Sequence, residues 1–229
     1  MQSGIFFILT TEVLTPEKRK AVKLSIITAN HVTSGFSKIL IKFGRPETTA
    51  LWFPYQPISL DDSVDLVLIP IPDDKVSEFR DQNLVLKADM VCRDITQMEA
   101  WHLHEGTKVF AAGYLTGINS DAIMPFYRFG QYSSVNIGKM QLKDWKEPQN
   151  ADWIAMSGSK GMSGSPVFLD TQSSTNDIKV VGILKDVYDT VEDTMIRQQD
   201  LMLSEPARNL SRLLQKYHDD LKGQGYTIQ

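Results

Sequence analysis

The sequence of 229 residues has one cysteine, Cys92, so it can form neither an internal disulfide nor a metal site built from several thiolates. A chain of this kind folds without bridges, and a cytoplasmic, reducing location is expected. Long apolar runs are missing as well. The longest early stretch, Ile5-Phe6-Phe7-Ile8-Leu9, is too short for the core of a secretion signal and follows no basic segment. Nothing approaches the ~18 consecutive apolar residues of a membrane-spanning helix. An excess of one charge is also lacking: 24 Lys and Arg stand against 28 Asp and Glu, a net charge of −4. No general positive field exists to hold nucleic acid or an anionic membrane, so neither is expected as a partner. No repeat of 20–50 residues and no Gly-x4-Gly-Lys-Ser/Thr phosphate loop is present. What remains is a balanced chain, 42% hydrophobic and 23% charged, able to bury a core and unlike collagen, coiled coil or disordered sequence.

Short β-rich segments recur at intervals of roughly ten residues, the pattern of an all-β barrel or sandwich. They are Ile5–Thr11, Leu24–Ala29, Ile39–Phe43, Val64–Ile69, Lys108–Tyr114, Tyr127–Ser133, Val167–Leu169 and Lys179–Leu184. Helical periodicity is clear only near the end, where Leu210, Leu213, Leu214, Tyr217 and Leu221 share one face. Ser204 as N-cap, Glu205 and Pro206 in the first turn and Gly223 at the close predict a helix over 205–222. The stretch from Pro72 to His104 is more polar and reads as a connection between two β units of similar size, and Thr171–Asp177 reads as a polar turn.

The sharpest local signal is Gly161-Met162-Ser163-Gly164-Ser165-Pro166-Val167-Phe168, a glycine-flanked serine ahead of an apolar strand. Glycines let the backbone bend until N–H groups converge beside the hydroxyl, as an oxyanion needs, and Gly161 and Ser163 are the expected donors. A plain Gly/Ser turn would read the same way. Two further features bear on the choice. His31, in Thr28-Ala29-Asn30-His31-Val32, stands where a strand gives way to a loop, and a base held there is held rigidly. Asp65 heads the apolar run Val64–Leu68, where an unpartnered carboxylate is costly and an imidazole N–H is a fitting partner. The alternative for Asp65 is a turn role like that of Asp61 and Asp62. The order His31, Asp65, Ser163 is the chymotrypsin order, and Ser165 stands where the nucleophile elbow of α/β-hydrolases needs glycine.

These blocks resemble the trypsin-like, chymotrypsin-fold serine peptidases, above all the disulfide-free bacterial members. Thr28–Val32 resembles the Thr-Ala-x-His block of that family, Asp65–Leu68 its Asp-Leu/Ile-Ala-x-Leu block, and Gly161–Phe168 the Gly-Asn-Ser-Gly-Ser-Pro-Val-Phe of the glutamyl-endopeptidase branch. Glu105–Tyr114, Pro125-x-x-Arg128-x-Gly130 and Val180–Ile183 match weaker blocks in the right order. The resemblance implies an all-β fold of two packed antiparallel barrels with a C-terminal helix. The first barrel would span residues 1–100, the second 101–204 and the helix 205–222. It implies a serine endopeptidase whose Ser163 attacks a peptide carbonyl while His31 moves the proton and Asp65 orients His31, with no metal or organic cofactor. A peptide or protein substrate would add a strand along Lys185-Asp186-Val187, and a specificity pocket would have Ser157 at its base and Leu184 and Val187 as walls. The neutral Ser157, and Leu184 where glutamyl endopeptidases carry histidine, favour a small or medium apolar residue before the cut.

Some residues depart from the family pattern. Met162 replaces the aspartate that pairs with a freshly cut N-terminus in zymogen-type members. Lys185 stands where small residues are usual, near the expected place of Asp65, and would either order that carboxylate or compete with His31 for it. Only a few residues precede the first strand, so the first barrel is expected either to lack its first strand or to be completed by an upstream segment or a partner protein. These departures leave open a catalytically weak or inactive protease-fold module that binds peptide or a partner protein, and small-ester or other acyl-transfer chemistry is a third reading. The pair His102 and His104 lacks a third metal ligand; His218 reads as a solvated helix residue, Cys92 as a small buried or semi-buried residue, and Met195 and Met202 as core filler.

Overall fold

A computed structural model describes residues 6–35, 38–41, 51–54, 56–76, 85–87, 102–113, 126–135, 139–140, 149–158, 161–171, 179–187 and 201–229. Cys92, Trp101, Tyr114, Pro125, Met195 and the turn residues 172–177 lie outside them, as does most of the connection between the two β units.

The chain opens with an antiparallel hairpin, β1 (Phe7–Leu14) and β2 (Lys20–Thr28), in register from Phe7↔Ile27 to Leu14↔Lys20. After the short helix Asn30–Thr33 come β3 (Lys38–Ile41), β4 (Leu51–Pro54), β5 (Ile58–Ser59), β6 (Val67–Pro70) and β7 (Val85–Lys87). β3 and β4 pair with each other. β2 pairs β6 from Thr28↔Val67 to Ser25↔Pro70, which sets the C-terminal end of one strand beside the N-terminal end of the other.

Then follow β8 (Lys108–Gly113), β9 (Phe126–Ser134), β10 (Lys139–Met140), β11 (Gln149–Asn150), β12 (Asp152–Ala155), β13 (Pro166–Leu169), β14 (Val180–Val187) and β15 (Leu201–Pro206). β10 and β11 form a two-stranded pair, and the other six close into a barrel in the order β12-β15-β14-β13-β8-β9. The C-terminal helix Ala207–Gly223 leads into β16 (Thr227–Ile228), which pairs with β1 at Val13↔Ile228 and Leu14↔Thr227. The first sheet has the order β16-β1-β2-β6-β5, with β7 also on β1, and among the described residues it stays an open half-barrel.

Both faces of the first sheet are buried along Phe7–Leu9, Leu24–Thr28 and Val67–Ile69, where the strands are mostly apolar. Ile8, Leu24, Ile26, Val67 and Ile69 fill one side. Phe7, Leu9, Val13, Ile27 and Leu68 fill the other, against Leu210, Leu213, Leu214, Tyr217 and Leu221 of the helix and Val180 and Ile183 of β14. The helical face read from periodicity is the buried one. Each such side chain is worth about 1.5–3 kcal/mol of transfer free energy, and this shared core fixes one β unit on the other. The interior of the closed barrel is a separate cluster, Val109, Ala111, Tyr132, Ile154, Val181 and Leu184 among others, with Met202 in it as expected of core filler.

The helix start differs from expectation. Ser204 is no cap: Ser204, Glu205 and Pro206 continue β15 and pair with Leu184, Ile183 and Gly182, and the helix begins at Ala207 after an extended Pro206. Tertiary pairing overrides the local cap signal. At the far end Gly223 is the last helical residue, and Gly225, at φ +89°, makes the left-handed turn, its N–H bound to the Lys222 carbonyl at 2.9 Å.

Candidate active site

The pairing of β2 with β6 brings His31 and Asp65 together. His31 follows β2 in the short helix, and Asp65 lies in the loop just ahead of β6. The backbone locks the junction: Asn30 N–H donates to the Asp65 carbonyl at 3.2 Å, and His31 N–H to Asp65 Oδ1 at 2.8 Å. The second carboxylate oxygen, Oδ2, meets His31 Nδ1 at 2.6 Å. A carboxylate can only accept, so Nδ1 carries the proton and Nε2 is left as the acceptor. The His31 side chain is 47% exposed and that of Asp65 15%, so the base is open to solvent while its partner is largely sheltered. Burial pushes the His31 pKa down, but the hydrogen bond and charge of Asp65, with the charge of Asp186, outweigh burial and Lys185 and raise it above the ordinary 6.5. Asp61, by contrast, takes the turn role, accepting from the N–H of Ser63 at 3.0 Å and from its hydroxyl.

Ser163 stands on the loop that leads into β13. Gly161 at φ +94° and Gly164 at φ +88° bend this loop in a region costly for other residues. It is stitched to β14 by Gly164 N–H to the Leu184 carbonyl at 2.7 Å and Leu184 N–H to the Ser165 carbonyl at 2.8 Å, and closed on itself by Ser165 N–H to the Met162 carbonyl at 3.0 Å. Neither Gly161 nor Ser163 donates its N–H to a backbone carbonyl among the described residues. The Ser163 hydroxyl donates to the Lys185 carbonyl at 3.2 Å, and it makes no hydrogen bond to His31. Met162 is buried in the barrel core.

The remaining candidates fall into distinct places. Leu184 is fully buried in the barrel core and bonds to the nucleophile loop through its backbone. Lys185 sits at a bulge in the β14–β15 pairing and turns its side chain inward; Asp186 is exposed and close enough to bias His31. Val187 pairs with Met202 through the backbone. On the side opposite β15, β13 pairs with β14 only as far as Ile183, so no described strand occupies that edge along 185–187. Ser157 follows β12 and is half-buried. His102 takes a left-handed φ of +55°, and His104 Nδ1 lies 2.6 Å from the Glu105 carbonyl. His218 is half-buried beside the Tyr217 ring, 6.2 Å between centroids, rather than fully solvated.

Glu205 was not legible as part of this site. Its fully buried carboxylate accepts from Lys185 Nζ at 2.9 Å and from the Asp65 backbone N–H at 2.9 Å through Oε1, and from Asn209 Nδ2 at 2.8 Å through Oε2. Burial raises its pKa, against the lowering pull of Lys185, Asn209 and the Asp65 N–H. The available signal was Lys185 itself, a lysine ending the apolar run Val180–Leu184, which demands a buried carboxylate somewhere in the fold.

No protein-family profile and no curated protein sequence matches the chain. Solved structures do. An HtrA-type protease, AlgW, with a decapeptide aligns over 86% of this chain at 16% identity and a TM-score of 0.54, and this chain spans about half of that one, 52%. A serine-to-alanine variant of AlgW with a tripeptide aligns over 90% of this chain and 59% of that one, at 15% identity and a TM-score of 0.54. The active form of the Rv3671c protease from M. tuberculosis aligns over 92% of this chain and 80% of that one, at 17% identity and a TM-score of 0.50. The chain has the chymotrypsin-like double-β fold of these serine proteases, with a closed six-stranded barrel, a half-barrel sheet and a C-terminal helix.

Proposed function

We propose that the chain is a serine endopeptidase that cuts peptide bonds with His31, Asp65 and Ser163. The observation that carries this reading is the two-point grip of Asp65 on His31, at 2.8 and 2.6 Å, which fixes ring and tautomer so that Nε2 is the free base. An imidazole held in this way takes the Ser163 proton as the hydroxyl attacks the carbonyl and returns it to the leaving amine, while Asp65 stabilises the imidazolium. The N–H groups of Gly161 and Ser163 receive the oxyanion, each worth about 2.7–4 kcal/mol in the transition state. Water then attacks the acyl-serine with the same base. The chemistry needs the Ser163 hydroxyl to leave the Lys185 carbonyl and meet Nε2; apo sites often tighten only with substrate bound.

The peptide adds as a strand along Lys185-Asp186-Val187, on the edge that no described strand occupies, with backbone pairing for affinity. Ser157 forms the base of a neutral pocket that takes a small or medium apolar residue. A second reading rests on the Ser163 hydroxyl being bound to Lys185 rather than His31: a peptide-binding module with little or no turnover. Digestion of a peptide library, read by mass spectrometry, separates the two. Cleavage after apolar residues that Ser163→Ala abolishes supports the peptidase; tight peptide binding with every peptide intact overturns it.

A further inference from the structure

Lys185 and Glu205 form an ion pair with side chains 2% and 0% exposed. Desolvating two such charges costs several kcal/mol each, and well-packed apolar residues often serve stability as well. The pair therefore invites a reason beyond stability, and its connections supply one. Oε1 of Glu205 is shared between the Lys185 ammonium and the backbone N–H of Asp65, both at 2.9 Å, while Oε2 is held by Asn209 from the C-terminal helix. Glu205 thus reaches from the last strand of the closed barrel to the Asp65 loop of the other sheet. Its partner Lys185 accepts the Ser163 hydroxyl on its carbonyl. One buried carboxylate stands a single residue away from both halves of the proposed triad.

Resting on the peptidase reading above, we propose that Glu205 is a positioning residue for the triad: anchored by Lys185 and Asn209, it fixes the Asp65 loop so that the Asp65 carboxylate meets both His31 N–H and Nδ1. Asp65 is then held at three points, its N–H by Glu205, its carbonyl by Asn30 and its carboxylate by His31. The same contact answers the question Lys185 raised in the sequence: its charge is met by Glu205, and its effect on Asp65 runs through that carboxylate.

Removing Glu205 alone would strand a buried ammonium, so the test compares two neutral double variants. Lys185→Met with Glu205→Gln keeps an oxygen acceptor for the Asp65 N–H; Lys185→Met with Glu205→Leu removes it. Both lack the ion pair, so a purely structural role affects them alike. Two readouts are used: the rate of labelling by a fluorophosphonate, and the His31 imidazole titration followed by NMR, on which the Asp65, Asp186 and Lys185 charges act. The leucine double is expected to label about 10- to 100-fold more slowly than the glutamine double, as small misplacements of catalytic groups do. Its His31 midpoint is expected to fall below that of the glutamine double. Equal rates and equal midpoints in two folded doubles overturn the proposal. If the leucine double does not fold, Asn209→Ala, which loosens Glu205 but leaves the ion pair, is expected to move both readouts in the same direction, and unchanged values overturn it. Failure of the wild type to label sinks the peptidase reading, and the titration comparison still decides whether Glu205 positions Asp65.

Discussion

Replacing Asp65 by asparagine changes one atom and tests the logic of the site. The His31 N–H can only donate, so the amide oxygen must stay at the 2.8 Å contact, and the amide NH2 then faces Nδ1 at the 2.6 Å contact. Nδ1 must turn acceptor, the ring proton moves to Nε2, and the ring can no longer take the Ser163 proton. A tautomer error of this kind lowers turnover by about 10⁴, or about 5 kcal/mol of barrier. The pH dependence changes as well. In the wild type, burial lowers the His31 pKa, but the Asp65 hydrogen bond, the Asp65 charge and Asp186 prevail over it and over Lys185, so the active base form is lost as pH falls through a value above 6.5. Asp65→Asn removes the two largest raising contributions and leaves Asp186 against burial and Lys185. Its acid limb should shift to lower pH even as its rate collapses. The assay is fluorophosphonate labelling, or hydrolysis of a peptide found by library digestion, from about pH 5 to about pH 9, a window that brackets the ordinary histidine value of about 6.5. A variant within about tenfold of wild type, with the same acid limb, would refute this reasoning.

Three further outcomes are expected. Leu213→Ala opens a cavity in the core that joins helix and sheet, and denaturant titration should show a loss of about 2–5 kcal/mol with the labelling rate of the folded fraction retained. A Cβ at Gly182 would strike Ser204 Oγ and come within 3.0 Å of the Glu205 carbonyl, so Gly182→Ala should cost about 1–3 kcal/mol by thermal melting; an unchanged midpoint contradicts the tight β14–β15 approach. Because His31 has a raised pKa in the folded state, its stabilising interaction is present below the unfolded value and fades as pH rises through the folded one. The stability gap between wild type and His31→Ala should therefore narrow with rising pH, and a gap that widens counts against the Asp65 pairing.

Much of this site could be read from sequence because its parts are local. His31, Asp65 and Ser163 each sit in a short block with its own chemical logic, and the helix face from Leu210 to Leu221 announces itself by periodicity. The juxtaposition of His31 and Asp65 then follows from one strand pairing, Thr28↔Val67. What escaped depends on contacts distant in sequence. Ser204-Glu205-Pro206 carries every local mark of a helix cap, yet pairing with Gly182, Ile183 and Leu184 makes it strand, and only that pairing delivers Glu205 to Lys185. β4 ends in proline and β12 opens on a buried aspartate, features that mask a strand in isolation. β16 is two residues long, and only its place on β1, beyond the helix, gives it meaning.

Labelling by a fluorophosphonate tests, without knowledge of the substrate, whether Ser163 is a nucleophile activated by His31. The wild-type chain is expected to be labelled at Ser163, located by mass spectrometry, and folded Ser163→Ala and His31→Ala are not. A folded wild-type chain that takes up no label, or equal labelling of all three proteins, would contradict that activation.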